Sequence, residues 1–384
     1  HIAPGHGADD FYLGREHNLE VTDYVGPDGT YRDFVPLFAG KRVLNTDGSE
    51  GDANIAVINA MQAVAESGKG GLLGRGRLKH SYPHSWRSKA PLIFRNTAQW
   101  FISMETNDLR SKALSAIDAT RFVPSQGRNR LYSMVEQRPD WCISRQRAWG
   151  VPIPLFVHIE TGEILKDQAV FDRIIDAFKT EGGDAWFSSP PERFLGGEYN
   201  VDEYEQVQDI VEVWFESGST HAFLLEDRED LRWPADLYLE GSDQHRGWFH
   251  SSLLESSGTR GRAPYDAVLT HGFVLDEQGR KMSKSLGNVT APTDVMNQYG
   301  ADILRIWVVS SNYADDLRIG QEILKYQADL YRRVRNTLRY LLGGLEGFSE
   351  KERVDPAQMP ELERWTLHRL YEMDSLVRKA INDY

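Results

Sequence analysis

The sequence predicts an α/β protein, and three features of its second half carry that prediction. The segment DLYLEGSDQHRGWFHSSLLESS (236–257) runs from an apolar strand through a polar turn into a helix. The segment DAVLTHGFVL (266–275) is a second apolar strand, and the lysine-rich stretch RKMSKSLGNV (280–289) follows it directly. From about residue 320 the chain has the amphipathic spacing of a long helix. Alternating strands and helices are typical of a parallel sheet.

The composition is that of a globular protein, with 40% hydrophobic residues, 26% charged residues and a net charge of −13. No stretch approaches eighteen uninterrupted apolar residues, so the sequence predicts no contact with a membrane. Cys142 is the one cysteine, which excludes an internal disulfide framework and a cysteine-rich zinc site. We therefore predict no metal site in this sequence and a reducing, cytoplasmic setting. The 384 residues predict two or three domains.

Positive charge is concentrated in one part of the chain. Residues 69–150 contain 15 Lys and Arg against 5 Asp and Glu, whereas the remainder contains 29 against 52. A local basic block in an acidic chain suits contact with a phosphate backbone. A solvated basic face is the alternative interpretation.

The first 150 residues are interpreted in order. Residues 1–40 are glycine-rich and predict strand and loop. The segment 52–70 has helical apolar spacing and ends in glycines, which predicts a helix and its stop. The aromatic, proline-interrupted segment 80–104 predicts buried strands. Residues 107–120 predict another helix, with Asn107 and Asp108 as candidate N-caps.

Residues 151–208 have the pattern of an insertion. They contain a hairpin signal at 155–165 with Thr-Gly at its turn, a helix near 168–181 and a Pro/Gly-rich stretch. From residue 209 the α/β alternation begins. In the final helical region six apolar residues fall near one side: Ile323, Leu324, Leu330, Tyr331, Val334 and Leu338.

Polar side chains follow both strands of the α/β unit. Asp243 and Gln244 come after the first strand and suit ribose hydroxyls and purine edges, while Gly241 allows close approach of a nucleotide. Lys281 and Lys284 come after the second strand and suit phosphate. Ligands bind beyond the carboxyl ends of strands in open parallel sheets. The two stretches together predict a nucleotide site, although either alone is equally compatible with a solvated turn.

Four collinear segments resemble the class I aminoacyl-tRNA synthetases, and specifically their isoleucyl branch. They are KMSKS (281–285), EGSDQHRGWF (240–249), WCISRQRAWGVPIP (141–154) and HIAPGHGADD (1–10). The resemblance covers nearly the whole chain. The class's HIGH signature is missing from the sequence, so we interpret the chain as an internal piece of a longer polypeptide.

The resemblance implies a domain order. Residues 1–80 are expected to complete a β-rich editing insertion, and 81–150 to return to the catalytic domain. Residues 151–208 form a smaller insertion, and 209–300 the second half of a Rossmann-like catalytic domain. Residues 301–384 are expected to connect to an α-helical anticodon-binding domain and begin it.

The resemblance also implies roles for individual residues around an aminoacyl-adenylate. Lys281 and Lys284 are expected to stabilise the transferring phosphate and the departing pyrophosphate. Asp243 and Gln244, with Gly241, are expected to hold the adenosine. The expected partner of the adenylate's ammonium group is Glu240. Trp248 is expected to line the isoleucine pocket, and its alternative is a core tryptophan at a helix start.

His1 and Asp10 are implied to belong to an editing site. A hydrophobic pocket separates isoleucine from valine by one methylene, worth about 1–3 kcal/mol, so a second hydrolytic site is needed. Asp10 is expected to anchor the α-ammonium of the misattached amino acid, and His1 to shape the pocket. Asp9 and His6 are neighbours with less defined roles.

The implied function is ATP-dependent activation of isoleucine, with Mg²⁺, and its transfer to tRNA(Ile) by a cytoplasmic monomer. The valyl and leucyl branches are the nearest alternatives, and PGH rather than PAH in residues 4–6 favours isoleucine. A non-catalytic nucleotide- or tRNA-binding module and an unrelated α/β enzyme are two competing interpretations. Glu216 stands where the family has Asp, Trp214 beside it suits a core, and Arg145 and Arg147 suit either tRNA or acidic neighbours.

Overall fold

The computed structural model describes residues 2–85, 88–147 and 149–384. Its contacts divide the chain into two compact units, the first ending at Gln99 and the second running from Trp100 to Tyr384. His1, one of the two predicted editing residues, lies outside the described residues.

The first unit contains two helices, α1 (Ala8–Glu16) and α2 (Ala53–Glu66). The helix predicted from the apolar spacing of 52–70 is confirmed, and it ends before Gly68, whose φ is +72°. The prediction of strand and loop for 1–40 is wrong over α1. Asp9 and Asp10 occupy the first turn of α1, where negative charge is favoured by the helix dipole.

β structure in the described part of the first unit consists of isolated bridges rather than strands. Val25 pairs with Tyr31, Thr30 with Arg42, Leu44 with Glu50, and His84 with Pro91. This differs from the β-rich segment expected for 1–80 and from the buried strands expected for 80–104. Glycines with positive φ turn the chain between several of these bridges, and prolines lack the N–H that a ladder requires.

The α-helices of the second unit lie between residues 109 and 383. In chain order they are α3 (Leu109–Asp118), α4 (Gln126–Glu136), α5 (Gln168–Glu181), α6 (Ala185–Ser188), α7 (Glu192–Leu195), α8 (Val213–Gly218), α9 (Trp248–Arg260), α10 (Pro292–Tyr299), α11 (Ala301–Val309), α12 (Gln321–Gly344) and α13 (Glu361–Asp383). The predicted helix at 168–181 is confirmed. Asp108 precedes α3 but makes no side-chain cap, because its backbone is left-handed there.

The strands of the second unit are short. They are β1 (Phe101–Ile102), β2 (Arg121–Val123), β3 (Trp141–Cys142), β4 (Ser144–Arg145), β5 (Phe156–His158), β6 (Tyr204–Gln206), β7 (Ile210–Val211), β8 (Tyr238–Gly241), β9 (Ala267–His271), β10 (Val274–Leu275) and β11 (Leu317–Arg318). The parallel sheet that the sequence predicts has the order β2-β9-β8. Strand β9 is its central strand, and four of its five residues are buried.

Three apolar clusters of the second unit fix the elements around the sheet. The first joins α3, α4 and α9 to β8 and β9, with Leu131, Phe249 and Tyr265 at its centre. Residues 151–208 have a cluster of their own around Trp186, and the hairpin prediction is supported by the bridge between Val157 and Ile164. The third cluster holds α10, α11 and the start of α12.

The predicted amphipathic helix is α12, and only its beginning packs against the rest of the unit. Leu324 is buried, whereas Leu338 and Leu342 are exposed. No residue of α13 is buried, although Tyr313 Oη donates to the carbonyl of Tyr384 at 2.8 Å.

Candidate active site

The parallel pairing of β8 and β9 brings the two predicted polar stretches to one edge of the sheet. Glu240 pairs with Thr270 and Gly241 with His271 in register. A 3₁₀ turn, Ser242–His245, leaves the end of β8. The chain that leaves β9 passes close to Gly241, because a Cβ there would lie 3.8 Å from Phe273 Cε1. The lysine-rich stretch 280–289, which we call the lysine loop, begins after β10.

Glu240 and Asp243 are exposed carboxylates, while Gln244 is half-buried and is used to brace the turn. Gln244 Oε1 accepts a hydrogen bond from the backbone N–H of Trp248 at 3.0 Å. Its Nε2 donates to Asp243 Oδ2 at 3.3 Å. Gly241 is needed locally, because a Cβ there would lie 2.8 Å from Asp243 Oδ1. The sequence did not indicate either of these two structural uses.

Trp248 is half-buried at the start of α9 and is held from two sides. Its ring stacks on Tyr238 at a centroid distance of 4.1 Å, and its Nε1 donates to the carbonyl of Ser217 at 2.8 Å. The indole therefore packs against the first core cluster with one part of its surface open. This geometry is compatible with both the pocket role and the core role that the sequence left open.

Trp214 belongs beside this site, although the sequence favoured a core position for it. The side chain is 40% exposed. A Cβ on Gly247 would lie 2.7 Å from Trp214 Cη2 and 2.5 Å from Gln244 Oε1. Gly247 therefore allows Trp214 to lie against the chain immediately before Trp248, which places two indoles and a braced amide next to one another.

The lysine loop is held by a pair of residues that the sequence analysis missed, Asp276 and Asn288. Asn288 Nδ2 donates to Asp276 Oδ2 at 2.9 Å and to the carbonyl of Lys281 at 3.2 Å. Asn288 Oδ1 accepts from the backbone N–H of Ser283 at 2.9 Å. We call this pair the loop clasp. The only sequence signal was the presence of Asp and Asn at the two ends of a Gly/Ser-rich stretch.

The carboxylate of the loop clasp is strongly stabilised in its charged form. Asp276 also accepts backbone N–H groups of Gln278 at 3.0 Å and Arg280 at 2.8 Å, and the Arg280 Nε at 2.8 Å. The hydrogen bond from Asn288, followed by those from Arg280, lowers the pKa of Asp276 to about 2. The carboxylate therefore remains ionised at every pH near neutrality.

Lys281 and Lys284 are exposed, and neither ammonium pairs with a carboxylate of the described residues. Lys284 begins a 3₁₀ turn that ends at Leu286, and Ser283 caps this turn by accepting from the N–H of Leu286. Met282 points the other way and packs against the third apolar cluster. The loop therefore anchors one side chain in the core and leaves two cations facing solvent.

In the first unit, Asp10 Oδ2 accepts the backbone N–H of Ala3 at 2.8 Å, so this carboxylate shapes the loop before α1. His6 Nδ1 lies 2.9 Å from the carbonyl oxygen of Phe94. The His6 side chain also lines a cavity of about 400 Å³, together with Tyr82. Asp10 does not line that cavity. Of the two residues, only His6 lines this cavity.

Arg145 pairs with an acidic neighbour, which is one of the two roles that the sequence left open for it. Its Nη2 lies 3.3 Å from Glu212 Oε2, and Glu212 also accepts from Trp141 Nε1 at 2.9 Å. Glu216 Oε1 accepts the backbone N–H of Val151 at 3.0 Å. These contacts give Arg145 and Glu216 structural roles at the return from the insertion.

A second cavity, of about 660 Å³, lies between β1, α8 and α9 and is lined by none of the predicted site residues. Its mostly apolar wall includes Glu255 and the buried His221, whose Nδ1 lies 3.0 Å from the carbonyl of Gly218. Burial, and to a lesser degree Glu212, raises the pKa of Glu255 to about 9. This carboxyl is therefore neutral at pH 7.

Among the residues that the structure describes, no cluster of three or more His, Cys, Asp or Glu could hold a metal ion. The same residues contain no helix long and apolar enough to cross a membrane.

A family model described as tRNA synthetases class I (I, L, M and V) matches residues 17–320. The chain belongs to the class I tRNA synthetases. Two curated relatives of this synthetase chain are isoleucine–tRNA ligases. That of Pelagibacter ubique is 56% identical over 387 residues, covering 100% of this chain and 41% of the relative. That of Gluconobacter oxydans is 57% identical over 388 residues, covering 100% and 40%. The chain thus spans about 40% of the length of the curated relatives it matches.

A solved structure agrees with the synthetase fold. Methionyl-tRNA synthetase of Mycobacterium tuberculosis in complex with methionyl-adenylate matches with a TM-score of 0.52 at 20% identity. The match covers 79% of this chain and 52% of that chain. The α/β class I synthetase fold predicted from the four segments is confirmed. The alternative of an unrelated α/β enzyme is wrong for this synthetase chain.

Proposed function

We propose that this chain is part of an enzyme that activates isoleucine with ATP, transfers it to tRNA(Ile) and hydrolyses misattached valine. The observation that carries the proposal is the register of β8 and β9. It places the Glu240–Gln244 stretch and the approach to the lysine loop at one sheet edge, where nucleotides bind in such folds. Similarity to isoleucine–tRNA ligases over the whole chain supports the choice of amino acid.

Activation joins an isoleucine carboxylate oxygen to the α-phosphorus of ATP and breaks the bond to pyrophosphate. Negative charge accumulates on the phosphate oxygens, and positioned cations stabilise it. Lys281 and Lys284 are the cations, and the loop clasp positions them. In the second step a ribose hydroxyl at the end of tRNA(Ile) attacks the carbonyl of the adenylate, and AMP leaves.

Glu240, Asp243 and Gln244 are proposed to bind the adenylate. The exposed carboxylates of Glu240 and Asp243 suit its ammonium group and ribose, and the free part of the Gln244 amide suits the base. Gly241 keeps the strand end open. Trp248 presents the exposed part of its indole to the isoleucine side chain.

ATP enters with Mg²⁺ in this proposal. The ion is held on the substrate phosphates, as is usual for Mg²⁺ that enters a site with a nucleotide. When bound, it neutralises phosphate charge.

The editing role is proposed for Asp10 and His1, with His6 at the neighbouring cavity. We also propose the domain order implied by the resemblance, a monomeric enzyme and a cytoplasmic location. The non-catalytic module is disfavoured because both lysines and both carboxylates of the site are present.

Replacing Lys284 by Ala in the intact enzyme tests the activation role. Loss of one charge-stabilising donor costs about 10²–10³ in rate, so isoleucine-dependent exchange of pyrophosphate into ATP should fall by this factor. Lys351→Ala is the matched control, because Lys351 is exposed and remote in sequence from the loop. Unchanged exchange in Lys284→Ala contradicts the assignment.

Substrate choice and editing need their own assays. Exchange supported by isoleucine but not by leucine, with valine weaker, separates the isoleucyl branch from the other two. Asp10→Ala should allow valyl-tRNA(Ile) to accumulate while isoleucine activation is unchanged. Normal clearance of valyl-tRNA by that variant contradicts the editing role.

A further inference from the structure

A cavity of about 490 Å³ lies where the C-terminal part of α4 and the residues after it face the start of α9. Its wall includes three arginines, Arg130, Arg138 and Arg246. Its lining residues include no Asp or Glu. A cavity of this size lined by three positive charges and no negative charge is an electrostatic site for an anion.

These guanidinium groups lack the carboxylate partners that most neighbouring arginines have. None of the three forms an ion pair within the part of the chain that the structure describes. Arg128, which lies on α4 with Arg130, pairs with Asp118. Arg138 Nε is buried and has no hydrogen-bond partner among the described residues. The Arg138 guanidinium is held over the Trp141 ring, 5.3 Å from its centroid.

His250 lies at the same cavity as a buried and unpartnered polar group. Its residue surface is 3% exposed, and neither ring nitrogen has a partner among the described residues. Burial, and then the nearby charges of Arg138 and Arg246, lower its pKa to about 3. The neutral imidazole therefore offers one N–H donor to a ligand at pH 7.

Burying the Arg138 Nε and the His250 ring nitrogens without hydrogen-bond partners costs folding free energy. Burial lowers the pKa of Arg138. Glu212 is the carboxylate whose charge acts on Arg138, and it already accepts a hydrogen bond from Trp141 and pairs with Arg145. A ligand that accepts hydrogen bonds and carries negative charge removes this cost. Phosphate oxygens match the planar guanidinium donors of arginine in bidentate geometry.

We infer that this cavity binds a phosphate group. Within the proposed function two molecules supply that chemistry, the backbone of the tRNA and the pyrophosphate released in activation. The tRNA backbone is favoured because Arg130 and Arg138 belong to the basic block at 69–150, the feature of the sequence that suits a phosphate backbone. Arg246 lies between the Ser242–His245 turn and Trp248, so the cavity adjoins the activation site.

The test uses the intact enzyme that contains this chain, with Arg138→Gln and Arg246→Gln as variants and Arg128→Gln as the control. Binding of a tRNA(Ile) transcript is measured at several salt concentrations, and binding of inorganic pyrophosphate by calorimetry. Each cavity variant should weaken transcript binding about tenfold. Each should also reduce the slope of log K against log salt by about 1. Arg128→Gln should change neither.

The outcomes separate the two sources and the proposed function. Weakened transcript binding with unchanged pyrophosphate binding identifies the polynucleotide, and the converse identifies the free anion. If neither ligand is affected by Arg138→Gln or Arg246→Gln, the inference is overturned. Because Arg246 is exposed, its variant decides the matter should Arg138→Gln not fold. Both measurements are independent of isoleucine activation, so a failure of the proposed function is seen separately in the exchange assay.

Discussion

Removal of the Asn288 amide tests how the lysine loop is held. In Asn288→Ala the loop loses the bond from the Ser283 N–H to Asn288 Oδ1 and the bond from Asn288 Nδ2 to the carbonyl of Lys281. It also loses the bond from Asn288 Nδ2 to the Asp276 carboxylate. The backbone turn around Asp276 does not involve Asn288 and should remain.

The size of the effect follows from these contacts. Each of the two bonds to neutral partners contributes about 1 kcal/mol net, and the bond to the carboxylate adds to them. The three bonds together give a loss of at least about 2 kcal/mol in the free energy of local opening, which corresponds to an increase of roughly 30-fold or more in the open population. The apolar contact of Met282 is retained, so the variant should remain folded.

Amide hydrogen exchange measures this opening directly. The N–H groups of Leu286 and Gly287, which bond to the carbonyls of Ser283 and Lys284, should exchange at least roughly 30-fold faster in Asn288→Ala. Trypsin cleavage after Lys281 and Lys284 should accelerate with it. Asn297→Ala is the matched control, because Asn297 is exposed on α10. Equal exchange in Asn288→Ala and the unmodified protein refutes the clasp.

Three further predictions concern the second unit. Glu255→Gln should leave stability unchanged below about pH 4.5. The raised pKa of Glu255 makes the unmodified protein lose stability as the pH rises from there to about pH 9. Glu255→Gln lacks this loss, so its free energy of unfolding should exceed that of the unmodified protein by up to about 1.4 kcal/mol more for each pH unit in that range. Urea unfolding at pH 5 and pH 8 measures the difference, and an equal difference at the two pH values contradicts the prediction. Trp248→Ala should lower the free energy of unfolding by about 2 kcal/mol or more, because it loses the stack on Tyr238 and the hydrogen bond to Ser217. Trp248→Phe loses the hydrogen bond and should lower it by about 1 kcal/mol. If the two variants have the same urea midpoint, the packing described here is contradicted. Gly247→Ala should cost about 1–3 kcal/mol and change indole fluorescence by displacing Trp214; an unchanged spectrum contradicts the contact.

Local signals in the sequence identified the elements that local physics controls. The helix at 168–181 has strong amphipathic spacing, and Asp167 accepts N–H groups of Ala169 and Val170 as its N-cap. The strand, turn and helix around Gly241 were readable because a buried strand gives a continuous apolar run. Helix α1 is not predictable from the sequence, because its nine residues have a weak apolar pattern.

What a segment contacts far along the chain could not be read from its own pattern. The segment at 80–104 was expected to form buried strands from its aromatic content, yet Leu92 and Phe94 are more than 40% exposed. A strand requires a partner with matching free N–H and C=O groups, and a one-dimensional pattern does not say whether one is present.

The sequence by itself determined the α/β class and the synthetase family and predicted the chemical type of the site, because residue spacing and signature segments are local properties. Tertiary structure decided how the site is built. The register of β8 and β9 sets Gly241 beside His271, and the loop clasp joins residues twelve positions apart. The cavity of Arg138 and Arg246 joins segments more than 100 positions apart. Such contacts depend on the packing of helices and strands, which the free energy of the whole fold selects.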